Sequence, residues 1–126
     1  MKKEFKVFRC KKCGAMIMNI QESDADECEM VCCGEVMEKL VPNSVDASFE
    51  KHIPTYDVKE GVVKAKVNHV MEDEHYIEWI AYVTKDTQEL RYFEPNMVPE
   101  TEFKYEEESK LYAYCNKHGL WEAVVK

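Results

Sequence analysis

The stretch Tyr76-Ile77-Glu78-Trp79-Ile80-Ala81-Tyr82-Val83-Thr84 decides the fold, because it is rich in β-branched and aromatic residues. Such residues fit the pleated surface of a β-strand. Strict alternation predicts that one face of this strand carries Ile77, Trp79, Ala81 and Val83. Lys85-Asp86 follows as a plausible turn, so the stretch predicts a strand that leads into a hairpin.

Further short strand patterns lie on both sides of this stretch. Before it, Val58 to Val67 crosses a turn at Glu60-Gly61. After it come Gln88 to Phe93, the region of Phe103 and Tyr105, Leu111 to Tyr114, and Leu120 to Val125. No long helical periodicity and no internal repeat is visible. Short strands broken by turns at this rate predict a mostly β protein with an antiparallel, immunoglobulin-like β-sandwich of about seven strands.

Composition and charge exclude several classes of function. With 126 residues, of which 45% are hydrophobic and 11% aromatic, the chain can form a packed core. No run approaches the roughly 20 apolar residues that span a bilayer. The start of the sequence lacks an apolar export signal, so we expect a cytoplasmic protein without membrane association. A net charge of −8 argues against nucleic acid as a partner.

The residues that can bind metal ions are segregated along the chain. Five of the six cysteines precede residue 34, whereas all four histidines and Cys115 come later. Val41-Pro42-Asn43-Ser44 reads as a linker, which predicts a metal domain at 1–40 and a second domain at 41–126. About 40 residues bury little core, so we expect a structural metal in the first domain.

Two cysteine pairs predict the first metal site. Cys10-Lys11-Lys12-Cys13 and the contiguous Cys32-Cys33 can together close a tetrahedral site of four sulfurs. Spacing leaves zinc and iron both open, although the contiguous second pair favours iron. Cys28 leaves open which downstream thiols contribute. Adjacent cysteines without an export signal make a disulfide framework a poor alternative.

The later residues predict a second site. Tyr114-Cys115-Asn116-Lys117-His118-Gly119 offers a thiolate and an imidazole three residues apart, and His69 and His75 flank a short polar loop. His52 precedes Ile53-Pro54, where the chain is expected to be extended. Mixed imidazole and thiolate donors suit iron, copper or zinc, and five donors exceed what a structural zinc takes.

Several motifs of the chain resemble a known family. Cys10-x-x-Cys13-Gly14 with Val31-Cys32-Cys33-Gly34 resembles desulforedoxin and the N-terminal domain of desulfoferrodoxins. Three further segments resemble the catalytic site of superoxide reductases. They are Glu50-Lys51-His52-Ile53-Pro54, His69-Val-Met-Glu-Asp-Glu-His75-Tyr-Ile-Glu-Trp79 and Tyr114-Cys115-Asn116-Lys117-His118-Gly119-x-Trp121. The resemblance covers nearly the whole chain in the same order. It departs at Val70, where proline is often found.

The resemblance implies two mononuclear metal sites. The first is an iron site, with zinc possible, held by Cys10, Cys13, Cys32 and Cys33. The second is a catalytic iron with His52, His69, His75 and His118 as equatorial ligands and Cys115 as axial ligand. The first iron would then serve electron transfer or structure. Trp79 and Trp121 are expected to be core residues.

The implied activity is one-electron reduction of superoxide to hydrogen peroxide, a detoxification of oxidative stress. Glu50 would close onto the ferric iron, and Lys51 would supply positive charge and order a water that delivers protons. We also expect the backbone N–H of Asn116 to bond the Cys115 sulfur. The implied partners are superoxide, a small electron donor such as rubredoxin, and a second copy in a homodimer.

Two other classes of function stay open on the residues alone. The chain could be an iron-binding electron-transfer protein without catalytic turnover, or a regulatory protein whose small domain is stapled by zinc. Iron content and reactivity with superoxide would separate these alternatives.

Overall fold

The structure is a computed structural model that describes residues 4–25 and 28–126. It divides into two compact units, Met1–Val41 and Pro42–Lys126, which we describe separately. Among the described residues the regular structure is almost entirely β, with a single 3₁₀ turn at Phe49–Lys51. None of the described residues forms a helix long and apolar enough to cross a membrane.

The first unit is built from five very short strands. They are β1 Val7–Arg9, β2 Met16–Met18, β3 Val31–Cys32, β4 Glu35–Val36 and β5 Glu38–Lys39. An antiparallel sheet has the order β2-β1-β5, and β3 pairs with β4 as a hairpin. Its buried apolar side chains, within the described residues, are Val7, Cys10 and Met37. So small a core gives little hydrophobic stabilisation.

The second unit contains seven longer strands. They are β6 Thr55–Lys59, β7 Val62–Lys66, β8 Ile77–Val83, β9 Gln88–Tyr92, β10 Glu100–Lys104, β11 Ser109–Cys115 and β12 Gly119–Val125. One antiparallel sheet has the order β10-β7-β6 and the other the order β12-β11-β8-β9. The predicted mostly β fold with a seven-stranded sandwich is therefore confirmed.

The predicted face of strand β8 was wrong, because the strand contains a bulge. The register shifts so that Cys115 pairs with Ile77 while the preceding Tyr114 pairs with Trp79, which leaves Glu78 as the extra residue. Beyond the bulge the alternation is displaced by one position. Ile77 consequently shares the sandwich core with Ile80 and Tyr82 instead of with Trp79, Ala81 and Val83.

The core lies between the two sheets and ends at Cys115. Its members are Val63, Ala65, Val67, Ile77, Ile80, Tyr82, Phe93, Phe103, Leu111, Ala113, Cys115 and Val125. Tyr82 stacks on Phe103 with ring centroids 5.1 Å apart, and its hydroxyl donates to Ser109 Oγ at 2.9 Å. Cys115 is fully buried and is the last residue of β11, so its thiol lies where the core meets the loops that follow the strands.

Candidate metal centres

One end of the sandwich gathers five donor side chains from three segments. They are His52, His69, His75, Cys115 and His118, and one ligand atom from each lies within 4.8 Å of all the others. His52 follows the 3₁₀ turn, while His69 and His75 stand on the loop between β7 and β8. Cys115 ends β11, and His118 lies in the turn that leads into β12. The sequence places these residues far apart, and the sandwich brings them together.

The second ring nitrogens of two histidines fix how those rings are oriented. His52 Nδ1 lies 2.6 Å from the carbonyl oxygen of Ser48, and His69 Nδ1 lies 2.5 Å from that of Val70. A carbonyl only accepts, so each Nδ1 carries the proton and each Nε2 lone pair faces the centre. Histidine ligands of metal ions are oriented in this way. Sequence reasoning missed both carbonyls, because a backbone acceptor leaves no residue signature.

The donor atoms face each other at short distances, and one of them has no hydrogen-bond partner among the described residues. His52 Nε2 is 3.1 Å from His118 Nδ1, and Cys115 Sγ is 3.4 Å from His69 Nε2. His75 Nε2 is buried and has no hydrogen-bond partner among the described residues. A buried polar atom in that state costs free energy. A cation at the centre would satisfy all five donors, so the residues fit a metal ion.

Burial sets the protonation of these donors. It lowers the pKa of His52 and His75, and it lowers the pKa of His69 to about 4. These three imidazoles are therefore neutral near pH 7, as metal ligation requires. Burial raises the pKa of the Cys115 thiol, so a metal ion must displace a proton to bind its sulfur. The lone pairs of these three imidazoles are thus free to bind a cation, and the thiol becomes a ligand when it loses its proton.

Two neighbours of the five-donor group make contacts that the sequence did not predict. The backbone N–H that reaches the Cys115 sulfur is that of His118, at 3.4 Å, whereas the N–H of Asn116 donates to the carbonyl of Tyr76 at 3.2 Å. Asn116 was therefore wrongly assigned to the sulfur, because the strand pairing with Tyr76 takes its N–H. Trp121 is buried as predicted, and it also stacks on the His52 ring at 4.9 Å and donates Nε1–H to the His118 carbonyl at 3.0 Å.

A cleft lies beside His69, one residue of the five-donor group. Its lining includes two lysines and three exposed apolar side chains: Lys51, Lys66, Val70, Met97 and Val98. Glu50 and Lys51, the two residues with predicted catalytic roles, lie in the exposed 3₁₀ turn directly before His52. Within the described part of the chain, neither lysine of the cleft forms an ion pair.

The first unit gathers a second donor group, Cys10, Cys13, Cys32 and Cys33, again with sulfurs within 4.8 Å of one another. The Cys13 and Cys32 sulfurs are 3.6 Å apart. The contiguous pair is possible because Cys33 and Gly34, the two central residues of the β3–β4 turn, have φ of 53° and 78°. Positive φ at both positions is typical of the tight hairpin turn of type I′. In this turn the sulfurs of Cys32 and Cys33 both lie in the four-cysteine group.

Protons are shared unequally among these four thiols. Backbone N–H donation, first from Cys13, lowers the pKa of Cys10 to about 6. Hydrogen bonding to the sulfur of Cys13 raises the pKa of Cys32 to about 12. One cluster therefore holds a thiolate next to thiols, which a metal ion would deprotonate. Cys28 is exposed and lies outside the group, which removes the ambiguity about the downstream thiols.

Comparison with known proteins shows the family of the chain. The sequence profile of the family described as Desulfoferrodoxin matches residues 43–124. A desulfoferrodoxin of Desulfarculus baarsii is 35% identical over 128 residues, covering 98% of both chains, and that of Clostridium acetobutylicum is also 35% identical, covering 99% of this chain and 100% of its own. The crystal structure of the superoxide reductase from Treponema pallidum superposes with a TM-score of 0.73 at 30% identity, covering 96% of this chain and 99% of that one.

The fold and the two donor groups define a β-sandwich protein with a five-donor, histidine-rich centre and a separate four-cysteine centre. With relatives matched over nearly the whole of both sequences, the chain belongs to the desulfoferrodoxin family.

Proposed function

We propose that this protein is a superoxide reductase that binds iron in the five-donor group of His52, His69, His75, Cys115 and His118. The observation that carries the proposal is the convergence of four imidazoles and one buried thiol on one point beside an open cleft. Structural neighbours that are superoxide reductases support it at the level of the family.

His52, His69, His75, Cys115 and His118 would hold the iron, which would supply the electron that reduces superoxide. When it holds a metal ion, the donor set contributes one negative charge, that of the Cys115 thiolate, because imidazole ligands are neutral. One thiolate would offset only part of the charge of a ferrous ion, so the site would stay positive and would favour an anion such as superoxide. Reduction takes up one electron and two protons for each superoxide and yields one hydrogen peroxide.

Lys51 and Glu50 would act from the turn before His52. Lys51 is exposed and unpaired within the described residues, so its ammonium can attract an anion to a protein of net charge −8. It can also hold a water that delivers protons. Glu50 is exposed beside it, and its carboxylate is a hard oxygen donor that suits ferric iron and would help to release peroxide.

The four-cysteine group would hold a second iron or a zinc ion, with a role in electron transfer or structure. Turnover requires an electron from outside, and we propose a small redox protein such as rubredoxin as the donor. We propose a cytoplasmic homodimer without nucleic acid or membrane partners. An electron-transfer protein without turnover is the alternative, and the cleft beside His69 favours the enzyme because it admits a small molecule.

The test is the reaction of the iron-loaded protein with superoxide in the presence of a reductant. The proposal expects reductant to be consumed in step with superoxide, and expects His75→Ala to abolish this while iron remains in the four-cysteine group. A protein that binds iron at both centres but does not consume reductant with superoxide would be the electron-transfer protein instead.

A further inference from the structure

The side chain of Asn116 holds both residues that flank His75. Its Nδ2 donates to the carbonyl oxygen of Glu74 at 2.9 Å, and its Oδ1 accepts the backbone N–H of Tyr76 at 3.0 Å. The backbone N–H of Asn116 donates to the Tyr76 carbonyl at 3.2 Å. Three hydrogen bonds thus join the turn that carries Cys115 to the loop that carries His75.

Asn116 directly follows the last residue of β11 that pairs with β8. Regular pairing of β8 with β11 ends where Cys115 meets Ile77. Beyond that pair, a side-chain amide offers one donor and one acceptor, as a peptide group does. The side-chain amide of Asn116 therefore continues the hydrogen bonding between the two chain segments beyond the last pair of β8 and β11, as a further peptide group would.

The orientation of the His75 ring depends on its backbone. Backbone carbonyls hold the rings of His52 and His69, but no hydrogen bond holds the ring of His75 within the described part of the chain. The backbone of His75 is bonded reciprocally to Glu72, inside the same loop, at 3.0 and 3.2 Å. The side chain of Asn116 adds two hydrogen bonds between this loop and the turn that carries Cys115.

We propose that Asn116 is a positioning residue that aims His75 at the metal through these bonds to Glu74 and Tyr76. The proposal rests on the metal site of the proposed function, and it does not depend on superoxide being the substrate. Removal of a residue that orients a metal ligand in this way lowers the affinity for the metal by about tenfold or more.

Asn43 provides a matched control. Its side chain makes the same pair of bonds to a backbone, because Nδ2 donates to the Glu122 carbonyl at 3.3 Å and Oδ1 accepts the Glu122 N–H at 2.9 Å. Glu122 is not in the five-donor group. Asn116→Asp and Asn43→Asp each keep the acceptor and replace the donor by a carboxylate facing a carbonyl. Aspartate also suits the φ of 58° at Asn43.

The experiment loads the full chain with Co²⁺ and follows its release to a chelator by the thiolate-to-cobalt absorption of each centre. Asn116→Asp is expected to release Co²⁺ from the five-donor group about tenfold faster or more, with the four-cysteine group unchanged. The added carboxylate alone would attract a cation, so faster release reports lost positioning. Asn116→Ala, which adds no charge, is expected to do the same, whereas Asn43→Asp lowers the melting temperature without faster release.

Release at the wild-type rate from Asn116→Ala, with a melting temperature as low as that of Asn43→Asp, would overturn the proposal and leave Asn116 a structural residue. Equal acceleration by Asn43→Asp would overturn it as well. If the wild-type protein retains Co²⁺ at the five-donor group but its iron form does not reduce superoxide, the proposed function fails while the assignment of Asn116 stands.

Discussion

At the scale of single residues, Lys51 provides the most direct test of how an anion reaches the centre. Lys51→Ala is expected to slow the second-order reaction with superoxide roughly three- to tenfold, because exposed charge steers small anions. The salt dependence of the rate should weaken too, because salt screens exposed charges. Stopped-flow kinetics at several ionic strengths measure both.

The control is Lys59→Ala, which removes the same charge from the opposite end of β6. It should change the rate much less than Lys51→Ala. Equal effects of the two variants would mean that Lys51 contributes only to the net charge of the molecule.

His69 makes the metal-free protein sensitive to acid. Burial lowers its pKa to about 4 from an ordinary value of 6.5, so between these values the unfolded chain binds a proton that the folded chain does not. Stability rises with pH wherever the unfolded state binds more protons. The free energy of unfolding of the metal-free protein should therefore fall as the pH drops from 6.5 towards 4.

Urea unfolding at a series of pH values measures this dependence. His69→Gln removes the titrating group, so its free energy of unfolding should fall less steeply over the same range. Curves of equal steepness would show that the buried imidazole of His69 does not set the acid response.

At the scale of the elements, the turn between β11 and β12 places His118. Gly119 pairs with Cys115 and has a φ of +80°, a backbone conformation that residues other than glycine rarely adopt. Gly119→Ala should therefore lower the free energy of unfolding by about 1–3 kcal/mol. Because the strain falls next to His118, the thiolate-to-metal absorption should shift as well.

Gly61→Ala is the matched control, because Gly61 has a φ of +77° in the turn between β6 and β7 and no atoms lie within 4 Å of an added Cβ. It should cost similar stability in chemical denaturation and leave the absorption unchanged. An unchanged spectrum in Gly119→Ala would show that this turn does not position the metal ligand.

The strands were predictable from sequence, and the register was not. Turn residues such as Glu60-Gly61 and the alternating pattern after them predict the β6–β7 hairpin. The bulge at Glu78 carries no local signal, because it arises from pairing with β11, which is distant in sequence. One inserted position was enough to move Ile80 and Tyr82 to the core face.

The donor groups were predictable for a different reason. Cysteine and histidine are uncommon and chemically specific, so their spacing predicts ligands even without coordinates. What sequence could not predict was how the ligands are held. The carbonyls of Ser48 and Val70 and the side-chain bonds of Asn116 depend on the folded path of the backbone.

At the scale of the whole molecule, the two units should depend differently on metal. The buried apolar side chains of the first unit, among its described residues, are only Val7, Cys10 and Met37, whereas the second unit has a core between two sheets. Cys13→Ser should therefore lower the protection of backbone amides in residues 4–41 against hydrogen exchange, because small units with little core depend on metal for folding. Amides of residues 42–126 should keep their protection.

Cys28→Ser is the control, because Cys28 is an exposed cysteine of the same unit outside the donor group. It should leave the exchange of both units unchanged. If Cys28→Ser exposed the first unit as much as Cys13→Ser does, the four-cysteine group would not be its stabilising centre.

The central claim, that the five-donor centre reduces superoxide, is tested most directly by the yield of products. The iron-loaded, reduced protein is mixed with superoxide, and hydrogen peroxide and dioxygen are measured together. Reduction predicts one hydrogen peroxide for each superoxide consumed and no dioxygen. Half a dioxygen and half a hydrogen peroxide for each superoxide consumed would mean dismutation. Neither product above the level of the protein-free control would mean no reaction. Each of these results contradicts the account.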